Sequence, residues 1–233
     1  AEPPPPDPFS PRREDVPAQA ARVTAPPAAR KARRERSGSV MPLFCRRRCR
    51  VSQQVSFTLD GASVTVEVES GESLLAVLRE RLGVTSVKDG CAPQGQCGCC
   101  TVLVDGDARV ACVTPVARIA GRTVTTVDGL DPAWRRDHAE GLLATGGSQC
   151  GFCTPGILVR AAAATARGRT ERDALARALV ANICRCTGWI GVLDAFADGA
   201  PTDPTRDLDA AAERARLEGG VPQRVDAEVP LGA

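Results

Sequence analysis

Residues 88–106 read KDGCAPQGQCGCCTVLVDG, a cysteine-rich loop that continues into a mainly apolar stretch. Within it, residues 91–100 hold four cysteines together with Pro93, Gly95 and Gly98. Glycines let backbone N–H groups approach sulfur atoms, and clustered thiols are typical ligands of iron–sulfur clusters and soft metals. The loop therefore predicts a metal or redox site, and its continuation predicts a strand beside that site.

Two shorter cysteine motifs lie further along the chain, QCGFCTPG at residues 149–156 and NICRCTGW at residues 182–189. The cysteine count is odd and no apolar run follows the arginines at residues 46–48, so nothing indicates export. We therefore expect a cytoplasmic protein in which the thiols serve metal or redox chemistry instead of a disulfide framework. The eleven cysteines are Cys45, Cys49, Cys91, Cys97, Cys99, Cys100, Cys112, Cys150, Cys153, Cys184 and Cys186.

Composition excludes several classes of partner. Hydrophobic residues make up 43 % of the 233 residues, enough to bury a core, whereas aromatic residues make up only 3 %. Stacking platforms for single-stranded nucleic acid are therefore not expected. No window approaches 18 consecutive apolar residues, the length that a membrane-spanning helix needs. We expect neither nucleic acid nor membrane as a partner.

Residues 1–52 differ in composition from the rest of the chain. They carry 12 Lys/Arg against 5 Asp/Glu and ten of the 18 prolines, whereas the remaining residues carry 18 Lys/Arg against 23 Asp/Glu. A segment so rich in proline and charge cannot bury enough apolar surface to offset its conformational entropy. We predict a disordered basic arm, with a basic interaction arm as the alternative.

A sheet with one helix is predicted between residues 53 and 130. Apolar and polar residues alternate on both sides of Asp60-Gly61 and again around Asp105-Gly106, the pattern of two β-hairpins with two-residue turns. Residues 71–83 follow a helical period that ends at Gly83. With a further strand at residues 123–127, these elements predict a mixed sheet packed on one helix.

The chain becomes helical after residue 130. Capping residues and apolar periodicity predict four short helices, which together suggest a small bundle over residues 131–200. Residues 201–233 are polar and proline-rich, and we predict a tail with one helix at residues 208–217. The four bundle helices are expected at residues 132–144, 155–167, 171–182 and 189–197.

Each of the two predicted domains contains four suitably placed cysteines. In the first, three lie on the loop quoted above and one returns across the second hairpin; in the second, one pair precedes a helix and another pair follows a helix. The helix near residue 155 would point its positive N-terminal end toward a cluster. The first set is Cys91, Cys97, Cys100 and Cys112, and the second set is Cys150, Cys153, Cys184 and Cys186.

Two other interpretations of the thiols are weaker. Zinc sites with four cysteines can also be built from C-x2-C pairs, but C-x-C and a loop with three close cysteines are less usual for zinc. An enzyme with a nucleophilic cysteine would need a base, and His138 is the only histidine. We expect His138 to be a solvated surface residue.

In this order, the motifs GCAPQGQCGCCTVLVDG, QCGFCTPG and NICRCTGW resemble the small iron–sulfur subunit of the molybdenum hydroxylases, the xanthine dehydrogenase and aldehyde oxidase family. The similarity covers residues 53 to about 200. It implies an α+β fold in which a plant-type ferredoxin-like β-grasp domain (53–130) precedes an all-α four-helix domain (131–200), each with one [2Fe-2S] cluster. It also implies that electrons pass from the molybdopterin centre of a large subunit toward FAD on a medium subunit.

The resemblance also assigns roles to individual residues. The first cysteine set would bind the ferredoxin-type cluster, and the second set would bind the cluster nearer the molybdenum. Gln149 matches the family glutamine that hydrogen-bonds the pterin. Two departures concern the first set, because Cys91 to Cys97 is C-x5-C where the family has C-x4-C, and Cys99 stands where the family usually has alanine. We expect Cys100 as the third ligand, with Cys99 as the alternative.

These observations predict an electron-relay subunit of an oxidoreductase, with no catalytic residue or substrate site of its own. A free-standing ferredoxin-type carrier and a structural zinc protein are the alternatives. The substrate pocket would lie on the large subunit, so purines, nicotinate-like heterocycles, aldehydes and carbon monoxide all remain open as substrates of the complex.

Overall fold

A computed structural model describes residues 52–196 and 207–232. The predicted basic arm, with Cys45 and Cys49, lies outside the described residues except for Ser52. Within the described ranges, no helix is long and apolar enough to cross a membrane.

Five strands form one mixed sheet in the order β2-β1-β5-β3-β4. The two hairpins pair antiparallel, and β5 lies between them, parallel to β1 and antiparallel to β3. The predicted mixed sheet is therefore confirmed. Its strands are β1 (Ser52–Leu59), β2 (Ala62–Glu69), β3 (Thr101–Val104), β4 (Asp107–Val110) and β5 (Thr123–Thr125).

Both hairpins turn at the predicted Asp-Gly pairs. Asp60 and Gly61 have φ of 48° and 86°, and Asp105 and Gly106 have φ of 50° and 82°. Positive φ at both central residues is the requirement of a type I′ turn, which Asp-Gly satisfies at low cost. The turn fixes the register, so that Val104 faces Asp107 and the apolar residues of β3 face the core.

The predicted helix against the sheet is not α-helical throughout. An α-helical turn, α1 (Leu74–Ala76), begins after Ser73, whose hydroxyl accepts a hydrogen bond from the Ala76 N–H. It continues as a π-helical turn (Val77–Arg81), and the Leu82 N–H donates to the Val77 carbonyl five residues back. The wider turn keeps Leu82 packed on the sheet core, a tertiary effect that apolar periodicity does not reveal.

The helices beyond the sheet lie close to the predicted positions. Leu142, Ile157, Leu158, Leu179 and Val192 are buried in a second core that also includes the sheet residue Leu103 as a partly buried neighbour. The second and sixth helices have the predicted bounds, whereas the third, fourth and fifth end earlier than predicted. They are α2 (Pro132–Ala144), α3 (Thr154–Thr165), α4 (Arg172–Leu179), α5 (Trp189–Asp194), α6 (Leu208–Leu217) and α7 (Glu228–Leu231).

The end of the chain packs on the body of the protein, which the sequence analysis did not foresee. Residues 223–232, here called the C-terminal clasp, contain α7 and bury Val229 and Pro230. The Lys88 ammonium donates to the Gly232 carbonyl at 2.8 Å. A Cβ at Gly151 would lie only 2.3 Å from the Val229 carbonyl oxygen, so the clasp depends on a glycine there. The clasp therefore contacts both the sheet part and the helical part.

Val229→Ala should destabilise the protein by about 1.5 kcal/mol, since it removes roughly two methylene equivalents of buried apolar surface at about 0.8 kcal/mol each. The side chain of Val229 is 8 % exposed, whereas that of Val221 is 91 % exposed. Val221→Ala is thus the matched control, with an expected change of less than about 0.5 kcal/mol. Thermal unfolding measures both, and equal effects would show that the clasp does not pack as described.

Candidate metal centres

The β3–β4 hairpin brings two cysteines of the first set together. Cys100 directly precedes β3, and Cys112 lies in a 3-10 turn (Ala111–Val113) that directly follows β4. The Ala111 N–H donates to the Cys100 carbonyl at 3.0 Å, and the Cys112 N–H donates to the Cys100 sulfur at 3.4 Å. Both side chains are buried, and burial raises the pKa of Cys100 to about 12.

Cys91 and Cys97 form the other pair of the first set, on the loop between the first helix and β3. Backbone N–H groups of Cys97 and Gln96 donate to the Cys91 sulfur and lower its pKa to about 6, with a further bond from the Gln94 N–H at 3.4 Å. The side chains of Cys91 and Cys97 are also hydrogen-bonded to each other. The loop thus favours the thiolate of Cys91, the form that binds metals.

Cys99 lies on the side of the loop that faces the helices. It is 4 % exposed and packs in the same core as Ile157 and Cys153. Burial, reinforced by the neighbouring Cys97 thiol, raises the pKa of Cys99 to about 12. Cys100 contacts Cys112, whereas the Cys99 thiol forms its hydrogen bond with Cys97. The choice of third ligand stays a prediction.

The second set also lies in two pairs, formed between loops that flank the helices. Cys150 and Cys153 lie on the loop that leads into α3, and Cys184 and Cys186 lie between α4 and α5. The Cys186 thiol donates to the Cys150 sulfur at 3.5 Å, and both residues are exposed. The thiols of Cys153 and Cys184 are also hydrogen-bonded, and burial raises the pKa of Cys153.

A hydroxyl orders the loop after Cys184. The Cys184 sulfur lies 3.1 Å from the Thr187 Oγ1. Burial of Cys184 opposes ionisation, but the hydrogen bonds from Thr187 and from the Cys186 backbone outweigh it and leave the pKa lowered. The side chain of Thr187 also reaches the Gly147 carbonyl at 3.3 Å, so one residue connects this loop to the loop before Cys150.

The arrangement of the donors fits a cluster with two metal atoms. Eight thiols lie in four pairs, and a [2Fe-2S] cluster takes four thiolates, two on each iron. In the described ranges, no group of three or more His, Cys, Asp or Glu residues is arranged to hold a metal ion. Each set therefore offers the two thiol pairs that two irons require.

The two sets are joined directly by hydrogen bonds. The Ile183 N–H donates to the Cys97 carbonyl at 2.9 Å, and the Asn182 Nδ2 donates to the Gly98 carbonyl at 3.2 Å. Gly98 has φ of 71°, and a Cβ there would lie 2.6 Å from the Asn182 Nδ2. A Cβ at Gly156 would lie 2.3 Å from the Gly98 carbonyl oxygen, so α3 also approaches this backbone closely. Two glycines thus permit the contact between the sets.

Sequence reasoning missed Asn182 and Gly156. Asn182 is 1 % exposed, and a polar residue directly before the NICRC cysteines is the signal that could have indicated a buried contact.

Gln149 is exposed, and its carbonyl accepts a hydrogen bond from the Gln223 Nε2 at 3.1 Å. The expectation for His138 was wrong, because it is half-buried and stacks on Trp134 with ring centroids 4.0 Å apart.

Two families of iron–sulfur domains match the chain. The family described as 2Fe-2S iron-sulfur cluster binding domain matches residues 57–117, and the one described as [2Fe-2S] binding domain matches residues 126–197. The first match covers the whole first cysteine set and the sheet except for the start of β1 and all of β5, and the second match covers the second set. Each cysteine set therefore lies with its surroundings in a separate match.

Several known proteins are similar over the same region. The iron-sulfur-binding subunit of xanthine dehydrogenase from Escherichia coli O157:H7 is 35 % identical over 62 % of this chain and 92 % of its own length. Aldehyde oxidoreductase from Megalodesulfovibrio gigas is 38 % identical over 63 % of this chain, which spans only 17 % of that protein. A chain of quinoline 2-oxidoreductase from Pseudomonas putida 86 superposes with a TM-score of 0.56 at 32 % identity, covering 73 % of this chain and 99 % of that one.

Gly98→Ala should be more destabilising than Gly95→Ala, although both glycines have φ near 70°. The backbone strain of about 1 kcal/mol is common to both. At Gly98 the new Cβ meets Asn182 and the Ala181 backbone, which adds about 1–3 kcal/mol, whereas at Gly95 it meets only the Val113 side chain at 3.2 Å. Thermal unfolding compares the two variants, and a Gly98→Ala protein as stable as Gly95→Ala would contradict the described contact.

Proposed function

The chain belongs to the family of small [2Fe-2S] subunits of the molybdenum hydroxylases, and from this premise we propose that it relays electrons from a molybdopterin centre on a large partner subunit toward FAD on a medium subunit or toward another acceptor. It is thus an electron-transfer subunit of an oxidoreductase. The observation that carries the proposal is the arrangement of eight thiols in four pairs, two pairs in each set.

We assign one [2Fe-2S] cluster to each cysteine set. When bound, the clusters supply one-electron redox chemistry. The donor chemistry supports the assignment, since thiolates are the ligands that such clusters take and no histidine lies in either set. The proposed ligands are Cys91, Cys97, Cys100 and Cys112 for the first cluster and Cys150, Cys153, Cys184 and Cys186 for the second.

The surroundings of the thiols suit a redox site. The backbone N–H groups of Gln94 and Cys112 donate to ligand sulfurs, which favours added negative charge. The α3 helix begins directly after Cys153 and directs its positive N-terminal end toward that ligand. Cys150 and Cys186 are exposed, whereas Cys100 and Cys112 are buried, so the two sites differ in access to water. We expect two different reduction potentials.

Gln149 is proposed to contact the molybdopterin of the large subunit. Its exposed position, next to the exposed Cys150, supports a role at a subunit interface. The Gln223 amide of the C-terminal clasp donates to the Gln149 carbonyl and so holds the backbone while leaving the Gln149 side chain free to bond outward. The clasp would therefore order the surface that meets the large subunit.

The domain organisation and location follow the same reasoning. We propose a β-grasp domain over residues 53–130 and a four-helix domain over residues 131–200. The separate matches at residues 57–117 and 126–197 support the division. A cytoplasmic location suits clustered thiols that serve metal binding, because disulfides form mainly in oxidising compartments.

Metal analysis of the complex purified from its native source tests the proposal. We expect about four iron and four acid-labile sulfide per chain, from two [2Fe-2S] clusters, together with molybdenum on a larger copurifying subunit. About two iron per chain would leave only one cluster. Zinc without sulfide, or an iron-containing chain that purifies alone without molybdenum, would contradict the assigned role and favour a zinc protein or a free-standing carrier.

Cys99→Ala and Cys100→Ala together identify the third ligand of the first cluster. Cys100→Ala should lose or strongly perturb the electron paramagnetic resonance signal of that cluster, because Cys100 pairs with Cys112. Cys99→Ala should retain both signals, because Cys99 packs as a small buried residue near Cys153. The reverse pattern would show that the additional residue between Cys91 and Cys97 moves the ligand to Cys99.

A further inference from the structure

Arg160 is a half-buried cation with no ion-pair partner among the described residues. It lies on α3, and its guanidinium Nε is buried with no hydrogen bond. No ion pair involves Arg160 in the part of the chain that the structure describes, and burial lowers its pKa. Removing a charge from water without a counter-charge is unfavourable, so such a residue is expected to meet an anion in the functional assembly.

Arg160 lies where two surface cavities meet. The cavities have volumes of about 370 and 550 Å³, and Ala108, Arg109 and Arg160 line both of them. Asp107 is the only acidic residue of the lining. The arginines of this continuous depression, here called the arginine groove, are Arg109, Arg118, Arg122, Arg160, Arg167 and Arg169.

The charges of the groove are only partly balanced within the chain. Arg167 and Arg109 both pair with Asp107, the latter at 3.8 Å. Arg122 pairs with Asp105 at 2.7 Å. Arg118 and Arg169 have no ion pair with any of the described residues. The groove differs in charge from residues 53–233 taken together, because those residues carry 18 Lys/Arg against 23 Asp/Glu. A strongly basic groove on an otherwise acidic body attracts negative surfaces and repels positive ones.

The groove reaches the first cysteine set. Val113, which directly follows the ligand candidate Cys112, lines the larger cavity and is 53 % exposed. On its other side, the Val113 side chain lies 3.2 Å from the Cβ position of Gly95 in the cysteine loop. A molecule seated in the groove would therefore lie beside the loop that carries Cys91 and Cys97.

We propose that the arginine groove is the docking surface for an acidic face of the protein that accepts electrons from the first cluster. The inference rests on the proposed relay function and adds the partner's chemistry. A carboxylate of the partner would pair with the Arg160 guanidinium, whose fork geometry matches it. Arg118 and Arg169 at the rim would steer the encounter. Arginine side chains line both cavities, whereas sites of small molecules are mostly lined by apolar and aromatic side chains.

Stopped-flow oxidation of the reduced, iron-loaded protein by two protein probes tests the proposal. Oxidised plastocyanin supplies an acidic surface, and oxidised cytochrome c supplies a basic one. Arg118→Gln and Arg160→Met should each lower the rate constant with plastocyanin about three- to ten-fold at low ionic strength and weaken its dependence on salt. The rate with cytochrome c should stay unchanged or rise.

Arg136→Gln is the matched control, because Arg136 is an exposed arginine on α2 that pairs with Glu140 and does not line the groove. Arg160→Met should also keep or raise the melting temperature, because it removes a half-buried charge whose Nε has no hydrogen bond. This combination of slower reaction and undiminished stability separates a docking residue from a structural one.

Two results would overturn the docking proposal while leaving the relay function intact. In one, plastocyanin oxidises the groove variants with the same rate constant as Arg136→Gln, although iron analysis shows both clusters in each protein. In the other, inorganic phosphate raises the melting temperature of the wild type but not of Arg160→Met, and plastocyanin does not distinguish the variants; the groove is then a phosphate site. A wild-type protein that binds no iron would instead refute the relay function itself.

Discussion

The structure depends on the close approach of three backbone segments at Gly98. The Gly98 carbonyl accepts hydrogen bonds from the Thr101 Oγ1 at 2.7 Å and from the Asn182 Nδ2 at 3.2 Å, and it lies against Gly156 at the start of α3. Only residues without a Cβ permit this geometry at Gly98 and Gly156. The contact places the first cysteine loop against both cysteine loops of the helical part, so an electron-transfer chain needs no further protein layer between its two sites.

How much of this the sequence could reveal depends on how local each determinant is. The Asp60 and Asp105 turns and the bounds of two helices were predictable, because turn chemistry and apolar periodicity act over a few residues. Spacing also predicted the two cysteine sets, whose role as cluster ligands stays a prediction. The bond between Asn182 and Gly98 joins residues 84 positions apart, and no local pattern indicates it. The same holds for the packing of Val229 against Gly151, which depends on tertiary contacts alone.

The chain presents two chemically different surfaces, which suit the two partners that we propose. Around the second cysteine set, Cys150, Cys186 and Gln149 are exposed and the C-terminal clasp orders the adjacent backbone. Beside the first set, the arginine groove is strongly basic and holds the unpaired Arg160. A relay has to receive electrons from one partner and deliver them to another, and different surface chemistry at the two sites would make each proposed partner specific for its own site.

Electron paramagnetic resonance of the fully reduced protein tests the central claim, that two [2Fe-2S] sites lie in direct contact through their cysteine loops. We expect two distinct signals that integrate to about two spins per chain, one per reduced cluster, with splitting from the magnetic interaction of neighbouring centres. The hydrogen bond from the Ile183 N–H to the Cys97 carbonyl brings the two cysteine loops into contact, and this proximity is the reason to expect that interaction. A single signal of about one spin per chain, or two signals without any interaction, would contradict the account.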